Sequence, residues 1–338
     1  MEITEVVLPG IVEPSGLQLR TRELPSPGAD QALVTVEASG VSFAEQAMRR
    51  GRYPGQPKFP FVPGYDLVGV VHSVGPGVDP ALVGRRVAAM TKTGGWASHA
   101  LVPAGDLVAV PGGLDPGDAE TLVVNGLTAW QMLHRTARVR PGQTVLVHGA
   151  NGGVGVTLAQ LARLDGVRVL GTAHPRHHDV LRDFGVVPLD RDDPRLAERI
   201  RELAPGGVDA AFDNLGGEHL SRAWRLLAPG GALVSYSIAA HQTGPMVPAF
   251  LVTLARLAIW NVLPNGKRAS FYDVWAGRRD LAAFRARTRE DLTTVLSLLA
   301  EGRIVAQVAA RVPLARIGEA MTLAEARTVP GKVVVVPA

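Results

Sequence analysis

A turn made almost entirely of small residues limits what this 338-residue chain can fold into. The apolar run TVLVH (144–148) is followed by GANGGVG (149–155) and then by a segment with helical spacing. In strand–turn–helix units of this kind one small residue tightens the turn, a second lets a phosphate approach the backbone, and a third lets the helix pack on the sheet. Ala150, Gly152 and Gly155 take these positions. The stretch therefore predicts a dinucleotide-binding turn whose helix presents its N-terminal amides to a pyrophosphate.

Strand and helix patterns alternate after this turn. Short apolar runs are separated by segments of helical spacing up to about residue 266, and such alternation indicates βαβ units and a parallel sheet covered by helices. The chain before residue 119 is rich in Gly and Pro and carries short β-type runs, which are typical of antiparallel sheet. We therefore expect a Rossmann dinucleotide-binding domain over 119–266 and a mostly antiparallel β domain over 1–118 and 267–338.

Composition excludes several function classes. The chain has no cysteine, which excludes disulfides, thiolate nucleophiles and cysteine-bearing zinc sites. The net charge of +4 comes without a basic tail, so we expect no nucleic-acid partner. The most apolar segment, 246–264, is interrupted by Pro248, Arg256 and Asn261, so we expect a buried helix and no membrane span. The acidic start lacks the features of a signal peptide, and we expect a cytoplasmic location.

The end of the second predicted strand indicates which dinucleotide is bound. An NAD site places a carboxylate about 20 residues after the glycine turn, where it binds the ribose 2′-hydroxyl. Here the strand ends at Thr172 and His174, and no carboxylate appears before Asp179. Arg176 and His177 follow directly, and cationic or donating side chains are what a 2′-phosphate requires. The sequence therefore favours NADPH as the cofactor.

Several stretches of the chain match one superfamily of oxidoreductases. They are SGVSFAEQAMRRGRYP, PGYDLVGVVHSVG, GGWASHALVP, NGLTAW, HGANGGVG, FDNLGG and PGKVVVVP. With them the sequence resembles the medium-chain dehydrogenases/reductases along nearly its whole length, and within them the zinc-free quinone oxidoreductase (zeta-crystallin-like) branch. The resemblance implies an α/β fold: a doubly wound Rossmann sheet plus a GroES-like, mostly antiparallel β domain. It also implies a homodimer that pairs edge strands at 267–274.

The resemblance bears on metal binding residue by residue. Zinc-dependent relatives place a cysteine where this chain has Ser42, a His-Glu pair where it has Tyr65 and Asp66, and a third ligand near Val124. Serine, tyrosine and valine are not zinc ligands of that kind. The comparison therefore implies that no metal is bound.

The resemblance also assigns site residues. It implies catalytic roles for Tyr53 and for Ser42, which stands where the branch usually has asparagine. The cofactor-binding set combines the turn and strand ends above with further matched positions. Its members are Thr128, Asn151, Gly152, Gly153, Val154, Gly155, Thr172, His174, Arg176, His177, Arg191, Asn214, Leu215, Ser237, Phe271 and Tyr272. We expect His148, at the end of the strand before the glycine turn, to have a structural role.

Without metal or thiolate, the chemistry must be carried mainly by the cofactor. An activated alkene or quinone suits such a site, because the oxyanion formed after hydride addition needs only hydrogen-bond donors. The sequence thus predicts an NADPH-dependent reductase of quinones or α,β-unsaturated carbonyls, with Tyr53 or a water returning the proton. Two alternatives stay open: a biosynthetic reductive cyclase triggered by conjugate hydride addition, and a non-catalytic NADPH-binding sensor or adaptor.

Overall fold

A computed structural model describes residues 1–237 and 246–337 of the chain. It contains two compact units, one of Met1–Leu127 with Arg279–Ala338 and one of Thr128–Arg278. The unit borders differ from the predicted domain borders at 118/119 and 266/267. One helix, Pro116–Trp130, runs through the first predicted border, and the strand Arg268–Phe271 joins the sheet of the second unit.

The described strands and helices are numbered in chain order. The strands are β1 Glu2–Val7, β2 Gln18–Glu23, β3 Gln31–Val41, β4 Asp66–Val74, β5 Arg86–Met90, β6 His99–Pro103, β7 Val108–Ala109, β8 Thr144–His148, β9 Arg168–Ala173, β10 Val186–Asp190, β11 Val208–Asp213, β12 Leu227–Ser235, β13 Arg268–Phe271, β14 Val308–Pro313 and β15 Lys332–Val336. The helices are α1 Phe43–Arg49, α2 Pro116–Trp130, α3 Gly153–Leu164, α4 His178–Asp183, α5 Leu196–Leu203, α6 Gly217–Leu226, α7 Met246–Asn261, α8 Leu281–Ala300 and α9 Ile317–Ala326.

The first unit is built on a mostly antiparallel sheet, as predicted. Its strand order is β14-β15-β3-β4-β5-β7, with β6 also paired to β3, and only β14 and β15 run parallel. β1 and β2 form a separate antiparallel pair. The side chains of β3 and β4 pack with those of β5 in an apolar core that includes Val34, Leu67 and Val87. This sheet fixes the positions of the loops that follow β3 and precede β4.

The second unit is a six-stranded parallel sheet in the order β10-β9-β8-β11-β12-β13, which is the predicted Rossmann arrangement. Leu146 and Leu170 on one face pack against the apolar sides of α5, α6 and α7. The strand order reverses between β8 and β11. In open parallel sheets, ligands bind at the carboxyl ends of the strands beside such a reversal.

Helix α7 differs from the sequence prediction of a buried helix. Leu257 is buried in the core, but Val247, Leu251, Val252 and Ile259 are more than half exposed. Only one side of the helix packs on the sheet, so its opposite, apolar side stays in solvent. Within the described residues no helix is both long and apolar enough to cross a bilayer.

Candidate functional site

The predicted glycine turn connects β8 to α3 and leaves little room for side chains. A Cβ atom at Gly155 would lie 2.6 Å from the carbonyl oxygen of Gly149 and 2.8 Å from Cα of Ala150, so Gly155 is required by the turn itself. A Cβ atom at Gly152 would lie 3.4 Å from the Gly149 oxygen, an ordinary contact. Gly152 is also the N-cap residue of α3 and has no side chain to occupy the helix N-terminus. The turn therefore presents backbone amides to an anion.

The carboxyl ends of the parallel strands bring most of the predicted cofactor residues to one edge of the second unit's sheet. The turn after β8 supplies Asn151, Gly152, Gly153, Val154 and Gly155. Thr172 and Phe271 lie in the last two residues of β9 and β13. The others follow strand ends: His174, Arg176 and His177 after β9, Arg191 after β10, Asn214 and Leu215 after β11, Ser237 after β12 and Tyr272 after β13. Residues up to 121 positions apart in the sequence therefore share one edge because parallel strands end there together.

Three buried polar atoms on uncharged side chains at this edge have no hydrogen-bond partner among the described residues. They are Nε2 of His148, Oδ1 of Asn214 and Oγ of Ser237, and Oδ1 of the Asp213 carboxyl group, at the end of β11, is a fourth such atom. Buried polar groups are ordinarily hydrogen-bonded, so such atoms mark a place where a ligand or water completes the set. Two of the three, Asn214 and Ser237, belong to the predicted cofactor set. Sequence reasoning assigned His148 a structural role only, because a lone histidine at a strand end carries no distinctive sequence signal.

A cavity of about 510 Å³ opens beside the strand reversal. His148, at the end of β8, and His219, in the first turn of α6 after β11, flank that reversal with their rings 6.1 Å apart. The remaining lining residues are apolar or charged, and most of the charged ones are arginines. The apolar ones are Pro194, Leu196, Ala197, Ile200 and Leu226, and the charged ones are Asp193, Arg201, Arg222 and Arg225. The cavity suits a flat, largely apolar group attached to an anion.

Burial shifts the pKa values of two side chains at this edge, His148 and Asp213. It lowers the pKa of His148 to about 4, with smaller effects of His219 and Arg222, so the imidazole is neutral at physiological pH. Its Nδ1 lies 3.0 Å from Oγ1 of Thr172. Burial also raises the pKa of Asp213 to about 6, against the opposing effect of backbone amides such as that of Gly216. A neutral imidazole at the cavity can therefore exchange hydrogen bonds with a heterocycle.

The predicted 2′-phosphate residues form a basic cluster at the ends of β9 and β10. Arg176 donates from Nε to Nε2 of His177 at 3.0 Å. The backbone amide of Arg191 donates to Ala173 at 3.0 Å, which holds the end of β10 beside the end of β9. The pKa of His177 is lowered by burial first and then by the charge of Arg176, with a contribution from Arg191. Arg191 also pairs with the carboxylate of Asp192 at 3.3 Å, so Arg176 and His177 are the members of the cluster best placed to receive an anion.

Two predicted cofactor residues have side chains engaged within the second unit. The ring of Phe271 lies 4.9 Å from that of Phe250 on α7, in an edge contact. The hydroxyl of Tyr272 donates to Oε1 of Gln131 at 2.9 Å. Thr128, at the start of the unit, is buried on α2. The predicted contact of these residues with the cofactor stays a prediction.

The two predicted catalytic residues lie in the first unit, and the structure gives each a partner that sequence reasoning missed. Ser42 is the N-cap of α1 and forms a capping box in which its hydroxyl donates to the Glu45 carboxylate. The hydroxyl of Tyr53 lies 2.6 Å from that of Tyr65. Since Tyr65 and Glu45 are almost fully buried, both partners are fixed in place.

The positions that hold zinc in metal-dependent relatives contain a lysine-centred cluster instead. Lys332 donates from Nζ to Oδ2 of Asp66 at 2.7 Å and to Oε1 of Glu120 at 2.6 Å. The amide of Val124 donates to the same Asp66 oxygen at 3.0 Å. A fixed cation thus occupies the only carboxylate among the four expected positions, so these residues do not fit a zinc ion. A search of the described part of the chain finds no cluster of three or more metal-ligating side chains.

Comparison with known proteins agrees with this arrangement. Residues 28–112 match the alcohol dehydrogenase GroES-like domain, and residues 186–335 match the zinc-binding dehydrogenase family. The synaptic vesicle membrane protein VAT-1 homolog of Rattus norvegicus is 33% identical over 333 residues, covering 95% of this chain and 80% of that protein. The quinone oxidoreductase of Rattus norvegicus is 35% identical over 215 residues, covering 62% of this chain and 65% of that protein.

A solved structure is similar over both units. A mycobacterial protein complexed with NADPH has a TM-score of 0.85 and 29% identity, covering 99% of this chain and all of that chain. Sequence and fold therefore agree over essentially the full length. The chain belongs to the medium-chain dehydrogenase/reductase superfamily of oxidoreductases, in its zinc-free quinone oxidoreductase branch.

Proposed function

We propose that the chain is an NADPH-dependent, zinc-independent reductase of quinones or α,β-unsaturated carbonyls. The observation that carries this proposal is the strand edge of the second unit, where a phosphate-binding turn, a cavity at the strand reversal and three unpartnered polar atoms occur together. The NADPH complex of a protein of the same fold supports it. Two arguments support the quinone or enone class of substrate: Tyr53 can donate a hydrogen bond to the reacting oxygen, and the chain is similar to a quinone oxidoreductase.

The geometry supports one assignment of cofactor groups. The pyrophosphate binds the amides of the turn at Gly152 and the N-terminus of α3. The adenine occupies the cavity between His148 and His219, whose apolar lining suits a flat heterocycle. The 2′-phosphate binds the basic cluster around Arg176. Asn214 and Ser237, farther along the edge, supply the polar atoms for the remaining ribose and nicotinamide.

The two glycines of the turn are expected to respond differently to substitution. Gly152→Ala leaves folding nearly unchanged, because its Cβ has room within the protein, but weakens NADPH binding by about 10- to 100-fold, because the methyl group intrudes on the pyrophosphate. Gly155→Ala destabilises the unit itself by roughly 1–3 kcal/mol, because its Cβ meets backbone. Calorimetric NADPH titration and urea denaturation of both variants separate the two effects. Unchanged affinity in Gly152→Ala would place the pyrophosphate elsewhere.

Arg176→Ala is expected to weaken NADPH binding selectively. Loss of a charged hydrogen bond to the 2′-phosphate corresponds to roughly 1.5–3 kcal/mol, while NADH, which lacks that phosphate, binds as before. The control is Arg182→Ala on α4, whose guanidinium is exposed and pairs with Asp179. Fluorescence titration with both cofactors measures the selectivity. Equal dissociation constants of the unmodified protein for NADPH and NADH would contradict the assignment.

The chain's residues supply position and polarity for the reaction. NADPH, when bound, supplies the hydride, which adds at the β-carbon of an enone or at a quinone. The oxygen that becomes negative needs hydrogen-bond donors, and we assign proton donation to the Tyr53 hydroxyl. The Ser42 hydroxyl donates to Glu45 within the capping box. We therefore assign Ser42 the role of fixing the N-terminus of α1 and of supplying a polar group there.

Cofactor oxidation with a panel of enones and quinones tests the proposed function. Turnover with a product that carries hydride at the β-carbon and keeps an open chain supports the reductase. A ring-closed product identifies the cyclase alternative, because the enolate then attacks a second carbon. Saturable NADPH binding without oxidation identifies the sensor alternative.

We also propose a homodimer, formed mainly through the exposed side of α7 and not by pairing of the outer edge of β13. β13 is the last strand in the described sheet order. The predicted pairing of its outer edge meets one obstacle: the side-chain amide of Asn261 donates to the carbonyl of Ala269 at 2.7 Å and accepts its N–H at 2.8 Å. These outward groups are therefore already satisfied. The apolar side of α7, with Val262 80% exposed just beyond its end, provides the larger unpaired surface.

Light scattering at micromolar concentration is expected to give twice the chain mass of 35.7 kDa. Ile259→Asp with Val262→Asp, which places charges on the exposed apolar surface, is expected to shift the mass toward one chain. The control is Val83→Asp, an exposed apolar position in the first unit. A single-chain mass for the unmodified protein rules the dimer out.

A further inference from the structure

The two predicted catalytic residues are joined by a chain of contacts through two residues that no sequence pattern indicated. The amide and hydroxyl of Ser42 both donate to Oε2 of Glu45, the amide at 2.8 Å. The other oxygen of Glu45 accepts the backbone amide of Tyr65 at 2.6 Å. The hydroxyl of Tyr65 then lies 2.6 Å from that of Tyr53. The contacts thus run from the N-cap of α1 to the phenol of Tyr53.

Tyr65 is the rigid member of the tyrosine pair. Its side chain is 4% exposed, and its carbonyl accepts the amides of Thr91 and Lys92 at 2.9 and 3.0 Å. With Glu45 on its amide, both backbone groups of Tyr65 are held. Tyr53 is half-buried and packs its ring edge-on to that of Tyr65 at 5.9 Å. The rigid residue therefore fixes where the oxygen of the more accessible one lies.

The chemistry of a tyrosine that gives up its proton requires such a partner. After the Tyr53 O–H bond breaks, the phenolate oxygen needs a donor close by, and a half-buried anion without one is unfavourable. The Tyr65 hydroxyl can rotate its proton toward that oxygen without moving the ring, because a hydroxyl is both donor and acceptor. A hydrogen bond of this kind to a charged oxygen is among the stronger ones in proteins.

We propose that Tyr65 is a positioning residue for proton donation by Tyr53, holding the Tyr53 hydroxyl in place and donating to its oxygen as the proton leaves. This inference rests on the proposed function. In the step, hydride from NADPH forms the new C–H bond at the β-carbon, and the electron pair of the alkene moves to the carbonyl oxygen. The proton of Tyr53 then neutralises the enolate, Tyr65 donates to the phenolate, and a proton from water restores Tyr53. The cofactor is oxidised and the enone reduced.

A double-mutant cycle on the full-length protein tests the inference. The variants are Tyr53→Phe, Tyr65→Phe and the double variant, each of which keeps both rings. Steady-state oxidation of NADPH by an enone gives kcat and KM. Tyr65→Phe is expected to lower kcat about 10- to 100-fold, the effect of losing a hydrogen bond to a charged oxygen, with KM changed less than about threefold. In the Tyr53→Phe background the same substitution is expected to add nothing, because Tyr65 acts only through Tyr53.

Thr91→Val is the matched control, because it removes a neighbouring hydrogen bond, from Oγ1 of Thr91 to the carbonyl of Gly64, and leaves both tyrosine hydroxyls intact. Its kcat is expected to equal that of the unmodified protein. The solvent isotope effect on kcat supplies a second readout, which loss of structure alone does not change: it rises in Tyr65→Phe, since proton donation becomes slower.

The outcomes separate this inference from the proposed function. An active protein whose Tyr65→Phe variant keeps its kcat, or loses the same factor in the Tyr53→Phe background, overturns the positioning role alone. An unmodified protein that binds NADPH but reduces no enone or quinone overturns the proposed function, and the positioning role with it.

Discussion

Replacing Lys332 with methionine is expected to destabilise the first unit by about 3–5 kcal/mol, the usual result of removing one partner of a buried ion pair. Lys332 and Asp66 are both almost completely buried, and each has the other within 2.7 Å. Methionine fills a similar volume but removes the cation that pairs with the Asp66 carboxylate, which keeps its hydrogen bond from the amide of Val124. Urea denaturation followed by circular dichroism measures the change.

Two other variants of the same cluster are expected to be less destabilised than Lys332→Met and serve as controls. Burial raises the pKa of Glu120 well above its ordinary value, against the opposing effect of the Lys332 cation. Glu120→Gln is expected to cost less than Lys332→Met, since its amide oxygen can still accept from Lys332 and the pair of Lys332 with Asp66 stays in place. Lys332→Met combined with Asp66→Asn is expected to recover part of the loss, because no buried charge remains unpaired. A Lys332→Met variant as stable as the unmodified protein contradicts this interpretation.

Between pH 6.5 and pH 4, His148 is expected to lower the stability of the second unit by about 3 kcal/mol, opposite in sign to the effect of Asp213, whose raised pKa favours the folded state as the pH falls. Burial lowers the pKa of His148 from 6.5 to about 4 in the folded chain. The unfolded chain therefore takes up the proton first as the pH decreases, so protons favour unfolding. The contribution of neutral His148 is fully present above pH 6.5 and is lost on the way to pH 4; each pKa unit corresponds to about 1.4 kcal/mol.

His148→Gln removes this titration and is compared with the unmodified protein by denaturation at pH 7, 5.5 and 4 without cofactor. The stability difference between the two proteins is expected to shift in favour of the variant by about 3 kcal/mol across that window. Leu164→Ala, at an exposed apolar position of the same unit, removes no titratable group, and as the control it is expected to show a constant difference. A constant difference for His148→Gln as well would mean that the imidazole is not buried as described.

The sequence was sufficient where the controlling interactions are local. The GANGGVG turn, the strand-helix alternation and the missing carboxylate after β9 are all contained in short windows, and the geometry of parallel sheets then brings the strand ends together. This is why the sheet and the edge that carries the turn agree with prediction. The unit border was less predictable because α2 continues through it without a change in helical pattern.

The parts that sequence reasoning missed depend on tertiary contacts that leave no pattern in the sequence, whether the partners are far apart or near along the chain. Lys332 meets Asp66 across 266 positions and Glu120 across 212. Neither contact leaves a periodic signal, and the closing stretch PGKVVVVP indicates only a strand. The Tyr53–Tyr65 pair is close in sequence, but nothing in RGRYP or PGYD shows that the two hydroxyls meet. The hydrogen bond from the Asn261 side chain to the carbonyl of Ala269 was unpredictable in the same way, because the sequence around Asn261 indicates only the end of a helix.

The most direct test of the account is NADPH oxidation by the purified protein with a panel of quinones and α,β-unsaturated carbonyls, in the presence of a metal chelator. We predict saturable oxidation, faster with NADPH than with NADH and unaffected by the chelator. With deuterium carried on the transferring carbon of the nicotinamide, we predict that the label appears at the β-carbon of the reduced enone. Tight NADPH binding with no oxidation by any member of the panel would contradict the assignment of this chain as a reductase.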